Sequence, residues 1–518
     1  MNINGNTLKE WGWPPGPHFK AALERARSLA TEGLSLDAVR SQLEPERVAL
    51  TTLLERRPPD PARLGVAMEV ESDDERVNLE KVHAQMLGMT TIPVVERAAV
   101  LPDACPTGDG EAVITVGGAV AVRDAIIPAA HSADICCSMF CSFFPVTEHE
   151  TGELLDQLQD STRFGVGGRQ PHEQVHQPVL EEKVWRNPFL SGLEPLAKAH
   201  LGDQGDGNHF AFLGTLRLSA AERAVWTAAG YGEWMAALPE GTESRALVTH
   251  HGSRALGAQV YKRGLRAAIA GTKRVACNIP DSAAWLDLET DEGRDYWDAL
   301  QYVSRWTRAN HEVIHTGFLR RLGIQTASLA FGNEHNFVWR RRDGLYYHGK
   351  GATPAWTGPD GRALPGLIPL NMASPILLCL GSENEKFLGF APHGAGRNIS
   401  RSALRKRFVN EDGRPSRDRI AAAIANATQG IEVRWWYGRP DLSETPLGYK
   451  NAAAIAAQIE RFELGRVCGR IEPLGCIMAG DAGPEIWKQR KKEPSPKQLR
   501  QQAHRAERRR LKQSGWED

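Results

Sequence analysis

The stretch SRALVTHHGS, residues 244–253, is an apolar run of strand length that stops at a pair of histidines and a Gly-Ser turn. EAVITVGGAVAV (111–122) and LIPLNMASPILLCLG (367–381) share this texture, short β-prone runs punctuated by Gly or Pro. Between them lies DEGRDYWDALQYVSRWTRANHEVIHTGFLRRL (291–322), which is too long for a strand and reads as a helix. Strands and helices do not alternate regularly, which argues against a doubly wound parallel sheet. The expected class is α+β, with central β-sheets flanked by helices. No internal repeat or low-complexity tract interrupts residues 79–483, so this stretch is expected to form a single large domain.

Two flanking segments differ from it. Residues 1–78 read as a helical extension, because PHFKAALERARSLATEGLSLDAVRSQL (17–43) spaces its apolar residues three and four apart. Pro58, Pro59 and Pro61 then interrupt that pattern, since proline removes a helical donor and clashes with the preceding turn. Residues 484–518 form a basic C-terminal tail, in which only Glu493 and Glu507 oppose the Lys and Arg between Trp487 and Lys512. A solvated extension and an RNA-binding arm are both consistent with this composition; the arm would gain by releasing counterions from phosphates.

Composition excludes several classes. The 518 residues are 41% hydrophobic and 24% charged, enough for a sizeable core without disulfide staples. Lys plus Arg and Asp plus Glu are equal at 63 each, so bulk charge does not predict a polyanion partner. MNINGNTLKEWGW (1–13) lacks the charged start and apolar run of a signal peptide, and no apolar run approaches the ~18 residues of a membrane span. The eight cysteines have no framework spacing. The expectation is a cytoplasmic protein without membrane partners, whose cysteines are ligands or core residues.

The chemistry-bearing residues gather in Gly-rich loops, where a rigid scaffold presents functional groups. HSADICCSMF (131–140) carries Asp134 and Cys137; GDGNHF (205–210) carries Asn208 and His209; HHGSRALG (250–257) carries His250. GNEHNF (332–337) carries His335 and Asn336, and PHGAGR (392–397) carries His393. One thiolate, three imidazoles and a carboxylate suit Zn, Fe or Mn, and a thiolate can bridge two ions. These residues are far apart in the chain, so their spacing alone does not establish a site. Core histidines, and Cys136, Cys137 and Cys141 as small buried hydrophobes, remain open at this point. His131, His251, His311 and His348 are expected in the core or behind the ligands.

Taken in order, these motifs resemble those of the RtcB family of RNA-splicing ligases over about residues 79–480. DICCS, GNHF, HHGSR, EHNF, KGAT (350–353), HGAGR (393–397) and ETPLGYK (444–450) each answer to a family loop. The resemblance implies two Mn²⁺ ions bridged by Cys137, one completed by His250 and His335 and the other by Asp134 and His209. It implies that His393 attacks the α-phosphate of GTP and becomes nucleotidylated. Asn208 and Arg397 would contact phosphate and Tyr449 would pack near the base. The other nucleotide contacts would be Asn336, Pro369, Asn371, Met372, Ser374, Gly394, Ala395 and Gly396, with Lys350 nearby.

The reaction so implied joins an RNA 3′-phosphate, or a 2′,3′-cyclic phosphate once opened, to a 5′-hydroxyl. The nucleotide passes from histidine to the 3′-phosphate, and the 5′-hydroxyl then displaces GMP. RNA repair or tRNA splicing is the expected setting, with RNA, a nucleotide and an accessory activating protein as partners. The alternatives are a catalytically weak RNA-binding paralogue and an enzyme that stops after activating (capping) the 3′-phosphate.

Departures from the family pattern concentrate around the nucleotide. Phe212 stands where the family has Glu, and Ala479 where it has the Lys of a Lys-Gly pair. Leu370 and Asn371 replace small residues, while Gly349 and Pro354 replace flanking Arg. Charge-assisted hydrogen bonds contribute roughly 1.5–3 kcal/mol each, so these changes predict altered nucleotide specificity.

Overall fold

The apolar runs pair into two main sheets in a computed structural model, which describes residues 3–13, 18–51, 53–410 and 415–483. The larger sheet orders its strands Leu329–Glu334, Ser138–Pro145, Ser244–His251, Phe210–Leu216, Gly465–Met478, Ile376–Gly381 and Pro365–Pro369, all antiparallel. Glu432–Trp435 adds in parallel beside the end of Gly465–Met478. The smaller sheet orders Leu64–Val66, Val95–Cys105, Val116–Val122, Tyr346–Lys350 and Asn336–Arg340. Its first pair is parallel and the others antiparallel. This mixture of antiparallel sheets and helices is the α+β class.

Register decides what each face of the larger sheet carries. Met139, His250, Phe210 and Met478 form one row across four strands, and Cys141, Val248, Phe212 and Cys476 form a second. Side chains alternate with period two, so these rows share a face, where Met372 and Ile376 join them in one apolar cluster. Ala211, Leu213, Leu247, Ile477 and Ala479 lie on the opposite face, packed with Leu154, Leu155, Phe318 and Leu319 from two helices.

The long segment read as a helix is Asp291–Arg321. Thr290 caps it by accepting the Gly293 N–H at 3.1 Å, acidic residues fill its first turn, and Arg320 and Arg321 end it. Tyr296, Leu300, Val303 and Trp306 recur at helical spacing and are fully buried with Leu256 and Val260 of the helix Arg254–Val275. Each such side chain contributes about 1.5–3 kcal/mol of burial.

At the N-terminus, helices Gly5–Glu10, His18–Thr31 and Leu36–Thr51 enclose a small core of Ile3, Leu8, Trp13, Ala22, Ala26, Val39 and Leu43. The rest of the expected extension belongs to the smaller sheet. Leu64–Val66 is one of its strands, and the helix Asp73–Met89 buries Val82, Met86 and Met89 against it. The boundary expected at position 78 therefore falls inside a helix packed on the larger body. The basic tail expected at 484–518 lies outside the described residues. Among the described residues no helix is long and apolar enough to cross a membrane. All eight cysteines are free thiols.

Candidate metal and nucleotide site

Two donor triads converge at the ends of the central strands. Cys137, His250 and His335 form one and Asp134, Cys137 and His209 the other, each with its ligand atoms within 4.8 Å of one another. Cys137 Sγ lies 3.2 Å from His250 Nε2 and 3.7 Å from His209 Nε2. His250 Nε2 is 3.2 Å from His335 Nε2, and His209 Nε2 is 2.9 Å from Asp134 Oδ2.

The local backbone explains this convergence. Between the turn Pro128–His131 and the strand Ser138–Pro145, Ser132 and Cys136 take positive φ values of 73° and 57°, folding the loop back on itself. Cys136 N–H donates to Asn336 O at 2.8 Å and His335 N–H donates to Cys137 O at 2.9 Å, which fastens two ligand loops together. At Gly252 a Cβ would stand 2.2 Å from Asp134 Oδ1, so only glycine lets the His250 strand end pass the carboxylate.

The rings are oriented from behind. His209 Nδ1 pairs with Gln204 O at 2.9 Å and His250 Nδ1 with Asn208 O at 3.2 Å, which leaves both Nε2 lone pairs facing the thiol. Burial lowers the His250 pKa to about 3 and holds His335 well below the usual imidazole range, with neighbouring rings adding to both. Burial opposes ionisation of Asp134, but His209 and Arg254 outweigh it and bring its pKa to about 2. Burial and Asp134 push the Cys137 thiol up. Three imidazoles, a carboxylate and a thiol that a cation would deprotonate fit a divalent metal pair.

His393 stands beside this cluster, its ring centroid 4.9 Å from that of His335. Its Nδ1 lies 2.5 Å from Asp103 Oδ2, and its backbone N–H donates to the same oxygen at 3.2 Å. Asp103 is fully buried, and its other carboxylate oxygen has no hydrogen-bond partner. Nearby, the buried Lys450 ammonium donates to Pro102 O at 2.8 Å and Ala104 O at 3.0 Å. With Nδ1–H given to Asp103, the Nε2 lone pair of a neutral His393 ring is free for attack. Sequence reading missed Asp103; the available signal was a lone carboxylate inside the apolar run VLPDAC (100–105).

A cleft of about 420 Å³ runs from the donor triads past His393 to Tyr449. Asp134, Cys137, His250 and His335 line it, as do Asn208, Asn336, Pro369, Asn371, Met372 and the loop His393, Gly394, Ala395, Gly396 and Arg397. His209 lies behind Asp134, outside this lining, and Ser374 lines a neighbouring depression with Pro375 and Ala452. Lys350 does not line the cleft; it is half-buried, its ammonium donates to Ile114 O at 3.1 Å, and desolvation lowers its pKa to about 8. Glu444 was read only as part of a motif, yet it organises one end of the cleft. It accepts from Arg401 Nε and Tyr449 OH at 2.7 Å each and lies 3.6 Å from Arg397 Nη1.

Two departures behave differently from expectation. Ala479 lies on the far face of the sheet, and Met478 lines the cleft in its place, because position 479 has the wrong parity. At Gly349 a Cβ would already meet Ala352 O at 2.9 Å and the rings of Phe390 and Trp339 at 3.2 Å, so an arginine has no room there. His131, His251, His311 and His348 are all buried.

An α+β body sets two donor triads that share one thiol, a set compatible with metal binding, beside a carboxylate-held imidazole in a single cleft. The chain belongs to the RtcB family, whose model, described as tRNA-splicing ligase RtcB, matches residues 85–479. It is 27% identical over 305 residues to the tRNA-splicing ligase RtcB of Archaeoglobus fulgidus, covering 54% of this chain and 59% of that protein. It is 24% identical over 437 residues to the RNA-splicing ligase RtcB of Escherichia coli, covering 77% and 93%. With the tRNA-splicing ligase RtcB of Aeropyrum pernix it shares 28% identity over 340 residues, covering 59% and 65%.

Proposed function

We propose that the protein is an RNA ligase that joins a 3′-phosphate or 2′,3′-cyclic phosphate end to a 5′-hydroxyl end through a nucleotidylated His393. The observation that carries this reading is the Asp103–His393 pair set 4.9 Å, ring to ring, from His335 of the donor cluster. Family membership and the names of the relatives support RNA as the substrate.

Cys137, His250 and His335 would hold one Mn²⁺, and Asp134, Cys137 and His209 the other; bound there, the ions offset charge on phosphoryl oxygens. His393 Nε2 attacks the α-phosphorus of GTP or a related nucleoside triphosphate, the bond to the β-phosphate oxygen breaks, and pyrophosphate leaves. Asp103 keeps the ring's other proton on Nδ1 throughout, so the same tautomer is presented each cycle. Water first opens any 2′,3′-cyclic phosphate to a 3′-phosphate and a 2′-hydroxyl; the nucleotide then passes from the histidine to the RNA 3′-phosphate, restoring His393. The 5′-hydroxyl attacks the activated phosphate and the nucleoside monophosphate departs. Arg397 and Arg401, held by Glu444 at the mouth, present cations to the phosphates.

The test is product analysis on a nicked stem-loop RNA carrying 3′-phosphate and 5′-hydroxyl ends, with Mn²⁺ and nucleotide. A sealed strand is the expected product. An activated but unsealed 3′ end would instead identify an end-capping enzyme, and RNA binding without any product a binding paralogue.

A further inference from the structure

The end of the cleft nearest the central sheet is floored by apolar side chains. From His250 the floor continues across the strands to Phe210 and Met478, and one row further to Phe212 and Cys476. Met372, from the loop after Pro365–Pro369, and Ile376, at the start of the next strand, line it as well. With the α-phosphate fixed beside His393 and the donor triads, this floor is the apolar surface within reach of a nucleotide base.

Most polar side chains of the cleft are engaged elsewhere, apart from the Asn208 amide and the Asn371 Nδ2 donor, and a lone donor of that kind finds an acceptor on adenine and guanine alike. Glu444 is taken up by Arg401, Arg397 and Tyr449, and Arg397 donates to Ser443 O at 2.7 Å. The Asn371 side-chain carbonyl accepts the Ala373 N–H at 3.0 Å, which closes its own turn. Burial keeps the Cys476 thiol neutral, its pKa raised to about 12. None of the floor residues Phe210, Phe212, Met372, Ile376, Cys476 and Met478 carries a carboxylate or an ammonium.

Resting on the nucleotidyl transfer proposed above, we infer that this slot takes purine nucleotides by stacking and apolar contact, without distinguishing adenine from guanine. Discrimination between bases that differ only in edge groups requires a polar partner that the wrong base leaves unpaired. An apolar pocket supplies only about a hundredfold at most. Adenine and guanine present equal stacking faces, whereas a pyrimidine covers less of the floor formed by Phe210, Phe212 and Met478.

Competition binding tests this with the full-length protein and MnCl₂, using a ribose-labelled fluorescent ADP displaced by unlabelled ADP, GDP, IDP or CDP. ADP, GDP and IDP should bind within about tenfold of one another, with CDP weaker. Phe212→Leu should weaken ADP and GDP by the same factor. Guanine-selective binding, with GDP more than about a hundredfold tighter than both ADP and IDP, would overturn the inference. So would a Phe212→Leu effect confined to one base, or no purine binding at all. Equal purine binding without nucleotide transfer to His393 would remove the transfer reading and leave the slot assignment standing. Guanine-only binding with transfer would do the reverse.

Discussion

The Asp103 carboxylate accepts two hydrogen bonds from His393, one from the ring at 2.5 Å and one from the backbone at 3.2 Å. One buried oxygen thus sets both the position of the residue and the orientation of its imidazole. Asp103→Asn keeps the shape but not the charge, and its amide can turn a donor toward Nδ1 and favour the wrong tautomer. The expected loss in the rate of nucleotide transfer is about a hundredfold or more, with metal content unchanged. Single-turnover labelling measures it; a rate within about threefold of the parent would show that Asp103 does not orient the nucleophile.

Sharing of Cys137 between the two triads makes a prediction about stoichiometry. His209→Ala should cost one bound Mn²⁺, whereas Cys137→Ala should cost both, as measured by metal analysis of protein equilibrated with buffered Mn²⁺. Second-sphere changes should matter less. Loss of the Gln204 carbonyl geometry behind His209 should weaken affinity by about 10–100-fold rather than abolish it. Equal metal content in the Cys137 and His209 variants would contradict a shared thiolate.

Acid should destabilise the fold through histidines remote from the metal. His131 is buried against Tyr296 OH at 3.1 Å, and His348 accepts the Ile127 N–H at 3.1 Å. Burial lowers their pKa values to about 4 and about 3, from 6.5 for a free imidazole. The unfolded chain therefore binds more protons between these values, so stability is full above pH 6.5 and is lost as pH falls toward 4. His131 alone accounts for about 3 kcal/mol across that window. Thermal melts from about pH 8 to pH 4 should show Tm falling steadily below pH 6.5. A flat Tm across that range would mean these rings are protonated in the folded state.

Much of the site was legible because glycine-rich loops at strand ends are unusual places for His, Cys and Asp. SRALVTHHGS announced both a strand and the candidate ligand at its end. What escaped reading depended on register or on distance in the chain. Asp103 sits inside an apolar strand, where a single carboxylate carries no pattern, and its partner is 290 residues away. Ala479 was placed at the nucleotide by motif alignment, but strand parity turns it to the opposite face and gives the cleft Met478. Leu64–Val66 has three residues, too few to show a period of two, so the smaller sheet seemed to begin later than it does. Glu444 was visible as a motif residue, but its hold on Arg397, Arg401 and Tyr449 exists only once the chain is folded.

The central claim is that His393 carries the nucleotide. The most direct measurement is incubation of the full-length protein with Mn²⁺ and α-³²P-labelled GTP or ATP, followed by denaturation and mapping of the labelled peptide. The account predicts an acid-labile, base-stable label on His393 that disappears in His393→Ala. A label on any other residue, or the absence of label with every nucleotide in metal-loaded protein, would contradict it.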